Sequence, residues 1–253
     1  MLRIAIAVPT YNESKNIKLL LEAVYNAVKD QRIAQIGLYV VDDSSPDGTA
    51  EVAEAAAREF KNEVFEARLL KRPKKEGLGK AYIDAFQRIL AENTWDYILQ
   101  MDADLSHDPA YIPQFIANAA AGVEFAVGSR YIKGGGAPEW GWFRKLLSRG
   151  GNTYARAVLG RRLSDYTGGF NMYSAGLLKR IRMESISAMG YGFLVELKYK
   201  ALKHCKGFAE IPIIFVDRTH GKSKIPSSTI LRNFALVFKL RFFGSPRFCV
   251  GKN

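Results

Sequence analysis

Two carboxylates two positions apart follow a mostly apolar run of the chain. Asp102 and Asp104 come directly after residues 97–101 (YILQM). Side chains at i and i+2 beyond a strand can point to the same side, and carboxylate oxygens are ligands that Mg²⁺ and Mn²⁺ prefer. The pattern predicts a divalent-metal site with Asp102 and Asp104 as ligands. The alternative is a pair of carboxylates that only cap a turn or the next helix.

A second acidic pair, Asp42 and Asp43, also follows an apolar run. Carboxylates in such a place can accept hydrogen bonds from ribose hydroxyls or from base N–H groups. The ligand-binding interpretation is favoured for Asp43, because two adjacent acids repel each other unless something offsets them. After the first apolar run, Tyr11 could stack on a base and Glu13 could accept from it or complement a helix N-terminus.

Cations follow the later apolar runs. Arg130 comes after residues 124–127, and Arg218 and Lys224 flank Gly221 in a loop. Arginine and lysine in these positions suit phosphate groups and could stabilise a leaving diphosphate. The three histidines, by contrast, have no partner spacing, and we expect surface or loop positions rather than metal ligation for His107, His204 and His220.

The formal net charge of +12 is unevenly distributed. Residues 1–127 hold 14 basic and 19 acidic side chains, a net of −5, whereas residues 128–253 hold 23 basic and 6 acidic, a net of +17. A basic half favours a phosphate-bearing partner over a merely solvated surface. No run is long and apolar enough to predict a membrane span. With two cysteines and no signal-peptide pattern, we expect a cytoplasmic protein.

Strand-like runs alternate with helical patterns through the first half. Predicted strands cover residues 3–8, 36–41, 64–70, 95–101 and 124–127, with helices between them and after Pro109. This alternation predicts an α/β fold with a mostly parallel sheet, whose ligands lie beyond the carboxyl ends of the strands. Further on, we predict a flexible Gly134–Gly136 loop, a strand at 208–216, and helices at 144–159, 174–183, 191–204 and 228–243.

The C-terminal segment, residues 228–253, is basic and rich in phenylalanine. Such an amphipathic segment can lie in a bilayer interface. The alternative is a core helix that closes the sheet. We therefore predict one domain, residues 1–227, followed by a membrane-interface segment, residues 228–253.

These motifs together resemble the dolichyl-phosphate (polyprenol-phosphate) mannosyltransferases, inverting family 2 enzymes of the GT-A fold. The resemblance runs in order from about residue 3 to 226. It rests on residues 9–13 (PTYNE), 42–48 (DDSSPDG), 77–79 (GLG), 102–107 (DADLSH), 128–131 (GSRY), 148–152 (SRGGN), 167–170 (TGGF) and 211–224 (IPIIFVDRTHGKSK). Each motif is weak alone, and the ordered set is specific.

The resemblance implies transfer of mannose from GDP-mannose to a polyprenyl monophosphate, with Mg²⁺ or Mn²⁺, by a protein bound peripherally at the cytoplasmic face of a membrane. It implies metal ligation by Asp102 and Asp104, and a position for Asp165 on the acceptor side. The residues that it assigns to the nucleotide sugar are Pro9, Tyr11, Glu13, Val41, Asp43, Asp102, Ala103, Asp104, Arg130, Arg218 and Lys224. Asp104, Asp165, Arg218 and Lys224 are the predicted catalytic residues.

One departure is Asn171, which stands where many relatives have an arginine, so the resemblance does not supply that phosphate contact here. Two other functions remain open. The same fold could use another donor such as UDP-glucose, and a non-catalytic nucleotide- or nucleic-acid-binding module would also be basic. Because the chain has no recognisable RNA-binding or helix-turn-helix pattern, we expect no nucleic-acid partner.

Overall fold

The computed structural model describes residues 1–186, 188, 190, 192–217 and 227–243, without the side chains of 227–233. The strands are β1 (Arg3–Thr10), β2 (Gln35–Asp42), β3 (Phe65–Lys71), β4 (Tyr97–Gln100), β5 (Phe125–Ser129), β6 (Asn171–Ser174) and β7 (Phe208–Pro212). The helices are α1 (Ile17–Val28), α2 (Thr49–Glu59), α3 (Leu78–Ala91), α4 (Ile112–Ala120), α5 (Trp142–Leu159), α6 (Ala175–Ile181), α7 (Gly192–His204) and α8 (Ser227–Phe242). Within this part of the chain, no helix is long and apolar enough to cross a lipid bilayer.

All seven strands form one sheet in the order β3-β2-β1-β4-β6-β5-β7. Among the strands of the described residues, only β6 is antiparallel to its neighbours, β4 and β5. The predicted mostly parallel α/β sheet is therefore confirmed, and β6 is the strand that sequence analysis missed. Because β6 runs in the opposite direction, its first residue lies at the edge where the other six strands end.

Helices cover both faces of the sheet. Alternate residues of β1 point to opposite faces: Ile4, Ile6 and Val8 pack with α1, α2 and α4, whereas Ala5 and Ala7 pack on the side of α3, α6 and α7. All five are fully buried. Strands covered on both faces read as continuous apolar runs, which is why β1 was recognisable in the sequence.

The Gly134–Gly136 loop is packed rather than flexible, so that prediction was wrong. The Gly135 amide donates to the Ile132 carbonyl at 2.9 Å, and the Gly136 amide donates to the Ile213 carbonyl at 2.9 Å. A Cβ atom on Gly135 would overlap the carbonyl oxygen of Ser129. The loop needs glycine because its backbone lies directly against the end of β5.

Helix α8 has one face in the core and one in solvent. Val237 and Leu240 are 4% and 6% exposed and belong to the main hydrophobic cluster. Phe238 and Phe242, on the other face, are 50% and 63% exposed. The amphipathic character predicted for this segment is confirmed within α8, and residues 244–253 lie outside the described residues.

Candidate active site

Asp102 is fixed at the end of β4 by contacts on two sides. The hydroxyl of Tyr82 on α3 donates to Asp102 Oδ1 at 3.1 Å and to the Met101 carbonyl at 2.9 Å. The Asp102 amide donates to His107 Nδ1 at 2.9 Å. Burial raises the pKa of Tyr82 well above its ordinary value, so the phenol stays a neutral donor.

Asp104 lies in a tight turn just beyond Asp102. Its Oδ1 accepts from the Ser106 amide at 3.1 Å and from the Ser106 hydroxyl at 2.6 Å. Within the described residues, no group of three or more His, Cys, Asp or Glu side chains could hold a metal ion. Two carboxylates nonetheless fit Mg²⁺ or Mn²⁺, because these ions commonly take their other ligands from substrate phosphates and water.

His107 is buried beside the carboxylates instead of lying on the surface as we expected. Its ring stacks on Phe170 with centroids 5.1 Å apart. Burial lowers the pKa of His107. Because Nδ1 accepts from Asp102, the neutral ring carries its hydrogen on Nε2. A Cβ atom on Gly169 would come within 3.1 Å of the ring, which explains a glycine at this place.

Arg130 follows β5 and is held by Asp165. Its Nε and Nη2 donate to the two Asp165 oxygens at 2.7 and 2.9 Å, and Nη2 also donates to Thr167 Oγ1 at 2.8 Å. Burial disfavours the Asp165 carboxylate, but the charge and hydrogen bonds of Arg130 outweigh it and hold its pKa well below the usual range. Among the described residues, no hydrogen-bond acceptor meets Arg130 Nη1, which therefore remains for a ligand.

The prediction of Asp165 as an acceptor-side catalytic contact needs correction. Asp165 is fully buried, and its oxygens accept from Arg130 and from the Thr167 and Gly168 amides. It lies behind Arg130, where it positions the guanidinium and cannot contact a ligand directly. Lys198 on α7, also fully buried, donates to the Asp165 carbonyl at 2.8 Å. Burial lowers the pKa of Lys198 to about 7.

The predicted nucleotide contacts gather at the ends of β1 and β2. Pro9 pairs with Val41 in the parallel register of these strands. The side chains of Val41 and Ala103 are buried, so these two residues could contact a ligand only through their backbones. Asp43 is 5% exposed and forms an ion pair with Arg72. Arg72 thus supplies the offset that two adjacent acids require, and sequence analysis missed it.

Tyr11 and Glu13 have partners of their own. Lys75 Nζ lies 3.6 Å from the centroid of the Tyr11 ring, which is 36% exposed. The Glu13 carboxylate accepts from Asn16 Nδ2 at 2.7 Å, ahead of α1. A ligand base could therefore meet a tyrosine ring that is already paired with a cation.

A cavity of about 270 Å³ opens beside Asp102 and Arg130. At this end its lining is polar, with His107 and Thr167 nearby. The other end is lined mainly by apolar side chains of α5, α7 and α8: Leu147, Tyr154, Ala155, Leu194, Val195, Phe234 and Val237. The lining of this one cavity therefore includes both charged and apolar side chains. Arg218, Lys224 and His220 lie outside the described residues.

Comparison with known proteins identifies the family. Residues 5–182 match the family described as glycosyl transferase family 2. The chain belongs to this family. It is 35% identical, over 90% of this chain and 83% of the relative, to the polyprenol monophosphomannose synthase of Mycolicibacterium smegmatis. It is also 36% identical, over 90% of both chains, to the undecaprenyl-phosphate mannosyltransferase of Micrococcus luteus. The resemblance found in the sequence is confirmed, and the chain is a hexosyltransferase.

Solved structures at low sequence identity share the fold. Glucosyl-3-phosphoglycerate synthase of Mycobacterium tuberculosis, in complex with Mg²⁺ and UDP, has a TM-score of 0.65 at 20% identity and covers 99% of this chain and 83% of its own. The mannosyltransferase PcManGT of Pyrobaculum calidifontis, in complex with GDP-Man and Mn²⁺, has a TM-score of 0.57 at 16% identity, over 96% and 71%. At these identities the likeness confirms the GT-A fold alone.

Asn171 of this family 2 transferase lies inside the sheet. It is fully buried, and its Nδ2 donates to the Gly168 carbonyl at 3.2 Å. It does not line the cavity. Arg144, a residue that sequence analysis missed, does line it: its guanidinium lies 4.2 Å from the Trp140 ring and pairs with Asp217 at 2.6 Å. A cation is therefore present at the cavity although position 171 does not provide one.

Proposed function

We propose that the chain transfers mannose from GDP-mannose to a polyprenyl phosphate with inversion at the anomeric carbon, releasing GDP. The observation that carries this proposal is a cavity whose lining combines Asp102 and Arg130 with apolar side chains of α5, α7 and α8. A substrate with a phosphate head and a hydrocarbon tail matches both ends. Relatives at 35% and 36% identity are named for polyprenyl-phosphate mannose synthesis.

On the donor side, Tyr11, Glu13 and Asp43 would bind the nucleoside, together with backbone groups of Pro9 and Val41. The backbone of Ala103 would lie along the sugar diphosphate. Asp102 and Asp104 would hold Mg²⁺ or Mn²⁺, which when bound neutralises charge on the leaving diphosphate. Support comes from neighbours of this fold solved with either ion.

On the acceptor side, the lipid phosphate would attack the anomeric carbon from the face opposite the diphosphate. A phosphate monoester is already an anion near neutral pH, so the reaction needs no strong general base. Arg130, through Nη1, would bind a phosphate oxygen, with Arg218 and Lys224 as further phosphate contacts. His107 is suited to positioning Asp102 and not to removing a proton, because its Nδ1 lone pair already accepts from the Asp102 amide and its Nε2 carries the hydrogen.

We further propose that the enzyme works peripherally at the cytoplasmic face of a membrane, with residues 1–227 as the catalytic domain and 228–253 as an interface segment. The exposed phenylalanines of α8 support this. A lipid acceptor also requires the cavity to open towards a bilayer.

The test is transfer of radiolabel from GDP-mannose to a polyprenyl phosphate in detergent, with and without Mg²⁺ or Mn²⁺. Asp104→Asn should lower transfer by about a hundredfold or more, because it removes a metal-binding charge at nearly constant shape. Asp108→Asn, an exposed carboxylate four residues away, is the matched control and should retain activity.

The other outcomes separate the rival functions. Labelling of the same lipid from UDP-glucose, and not from GDP-mannose, would keep the reaction class and overturn the donor. UDP in the mycobacterial neighbour makes this the rival to test first. No transfer from either donor by folded protein would favour a binding module without catalysis.

A further inference from the structure

Lys198, on α7, is fully buried although its side chain is ionisable. Its Nζ donates to the main-chain carbonyl of Asp165 at 2.8 Å, and no other acceptor meets it among the described residues. A lysine ammonium has three N–H donors, so a proton on Lys198 leaves two of them without a partner. Burial of this kind favours the neutral amine. Lys198 is therefore a place where a proton is held weakly unless negative charge comes near.

Asp165 connects Lys198 with Arg130. Its main-chain carbonyl accepts from Lys198, whereas its carboxylate accepts from Arg130 Nε and Nη2 at 2.7 and 2.9 Å. The charges of Arg130 and Asp165 offset each other, so a proton on Lys198 adds an uncompensated positive charge to the interior. Arg130 lines the cavity and Lys198 does not. A ligand at Arg130 thus acts on Lys198 through charge and not through contact.

Three further strands or strand ends place titratable groups around Lys198. Burial lowers the pKa of Lys198 to about 7. Asp165 and Glu210 on β7 oppose this effect, and Arg130 after β5 adds to it. Burial, with a smaller part from Arg130 and Lys198, also lowers the pKa of His107 after β4. Well above pH 7 both amine and imidazole are therefore uncharged in the free protein.

The charged side chains on and beside α7 leave Lys198 uncompensated in the described part of the chain. On α7 itself, Glu196 pairs with Lys200 at 2.8 Å. Helices α3, α6 and α8 pack against α7. Their charged side chains in the described part are exposed or partly exposed: Lys80, Asp84, Arg88, Lys179, Arg180, Lys239 and Arg241. Burial raises the pKa of the phenols in the same core, which keep their protons: Tyr82, Tyr166 and Tyr173.

The charge of the bound phosphate changes during the proposed reaction. A phosphate monoester has a second pKa of about 6, so the acceptor is a dianion above pH 7. After transfer the phosphate is a diester with one negative charge. Nearby negative charge favours the protonated form of an amine. With a proton on Lys198 before transfer and none after it, the phosphate, Arg130, Asp165 and Lys198 keep the same net charge throughout.

We propose that Lys198 takes up a proton when a phosphate monoester binds at Arg130 and returns it when the phosphate becomes a diester. The proton comes from water and goes back to water, and the N–H bond at Nζ is the bond that forms and breaks. Lys198 is a positioning residue that acts through Asp165 and Arg130, and it favours the acceptor over the product in the same place. This inference rests on the proposed function, which supplies the two phosphate states.

Calorimetry of wild-type protein measures the proton uptake directly. A short, water-soluble prenyl phosphate is titrated into the full-length protein at about pH 8, without GDP-mannose or metal, in two buffers with different enthalpies of ionisation. The ligand is already a dianion at this pH and has no proton to give. We expect uptake of about half a proton or more for each phosphate bound. The matching prenyl methyl phosphate, a diester, should bind without proton uptake.

Lys198→Met assigns the proton to its residue. This variant replaces the amine with an apolar side chain of similar length, and it should take up no proton. Because proton binding and ligand binding are linked, wild-type affinity for the monoester should fall about tenfold from pH 7 to pH 8.5, whereas that of the variant should not. A merely structural role of Lys198 would not produce this difference in pH dependence. Lys203→Met, on an exposed lysine of the same helix, is the control and should match wild type.

Two results would overturn the inference. One is equal proton uptake by wild type and Lys198→Met, which would place the proton on another group such as His107. The other is equal uptake with the monoester and the diester. Proton uptake at Lys198 without mannose transfer would keep this inference and overturn the proposed function. Mannose transfer with the same pH dependence of the acceptor KM in wild type and Lys198→Met would do the reverse.

Discussion

Arg130 depends on one carboxylate for both its charge balance and its orientation. Removing one partner of a buried ion pair leaves the other charge uncompensated, at a cost of about 3 kcal/mol. Asp165→Asn should therefore lower the free energy of unfolding by about that amount and reduce mannose transfer. Chemical denaturation and the transfer assay measure the two effects. Thr167→Val removes no charge, only the hydroxyl that accepts from Arg130 Nη2 and donates to Asp165 Oδ1, and should cost about 1 kcal/mol.

If Asp165→Asn proved as stable as Thr167→Val, the carboxylate charge would not be needed to keep Arg130 buried. Asp165→Glu is not a suitable rescue variant, because a fully buried site has no room for the added methylene.

Arg72 should act on donor binding through Asp43. Its side chain is 5% exposed and lies between Asp43, Glu76 at 3.2 Å and Asp84 at 3.4 Å. Arg72→Gln removes the only cation paired with Asp43 in the described part of the chain, so we expect the KM for GDP-mannose to rise about tenfold, or 1.4 kcal/mol. Initial-rate kinetics with varied donor measure this change.

Arg68→Gln is the matched control for Arg72→Gln. Arg68 lies on β3 and pairs with Glu66 and Glu92, away from Asp43. Both variants lose ion pairs, but only Arg72→Gln should change the KM. Equal KM values in the two variants would mean that Asp43 does not need its partner to bind the donor.

The residues that could be predicted from the sequence are those at strand ends. Asp43, Asp102 and Arg130 each follow an apolar run. Because the carboxyl ends of parallel strands lie at one edge of the sheet, these residues lie at the same edge. Arg72 and Arg144 were not predictable in this way. Their partners are 29 and 73 positions away in sequence, and burial decides which charges need a partner. A short-range sequence pattern shows neither the distant partner nor the burial of the charge.

At the scale of elements, β6 shows where local patterns fail. It has four residues, and its pairing with β4 and β5 joins segments far apart in the chain. Strand propensity depends strongly on such neighbours, so an isolated tetrapeptide indicates little. β1 and β2, covered by helices on both faces, were recognisable because their central residues, 4–8 and 36–41, form continuous apolar runs. Residues 167–170 lead directly into β6. Without this strand, the sequence did not explain why these residues lie at the site.

The glycine loop should be intolerant of even one added methyl group. In Gly135→Ala the new Cβ would overlap the Ser129 carbonyl, so the end of β5 or the loop must shift. Since Arg130 follows Ser129 directly, we expect lower transfer activity and a loss of about 2 kcal/mol in stability. Thermal unfolding and the transfer assay are the measurements.

Gly141→Ala serves as the control for Gly135→Ala. A Cβ at Gly141 meets nothing within 4 Å, and its φ of −58° suits any residue. This variant should match wild type in activity and stability. A Gly135→Ala protein that behaved like Gly141→Ala would show that the loop yields without moving Arg130.

For the whole molecule, the second half keeps a basic excess after its few acids have paired within that half. Asp165 and Asp217 pair with Arg130 and Arg144. Glu196 pairs with Lys200, and Glu210 accepts from the Ser164 amide. The net +17 of residues 128–253 already counts these acids, and among the ion pairs of the described residues only Arg180–Glu124 joins a cation of this half to an acid of the first half. It remains available to phosphates of the acceptor and of a lipid surface.

The protonation state of Lys198, which lies next to Asp165, makes the free energy of unfolding depend on pH. Its pKa is about 7 in the folded protein and 10.5 in its ordinary state, because burial disfavours the ammonium. Between these values the unfolded chain holds a proton that the folded chain has released. Stability from this group therefore rises as pH increases through this window, and below pH 7 the full cost of burying the charge remains.

Lys198→Met should remove this rise. Relative to the variant, wild type should gain about 2 kcal/mol of unfolding free energy between about pH 7 and pH 9, since each pKa unit corresponds to 1.36 kcal/mol. Urea denaturation at several pH values measures the slope. Lys203→Met, which removes an exposed ammonium from the same helix, should keep the wild-type slope. Parallel pH profiles for Lys198→Met and wild type would mean that Lys198 stays charged beneath Asp165, and that the carbonyl bond and the Asp165 charge offset its burial.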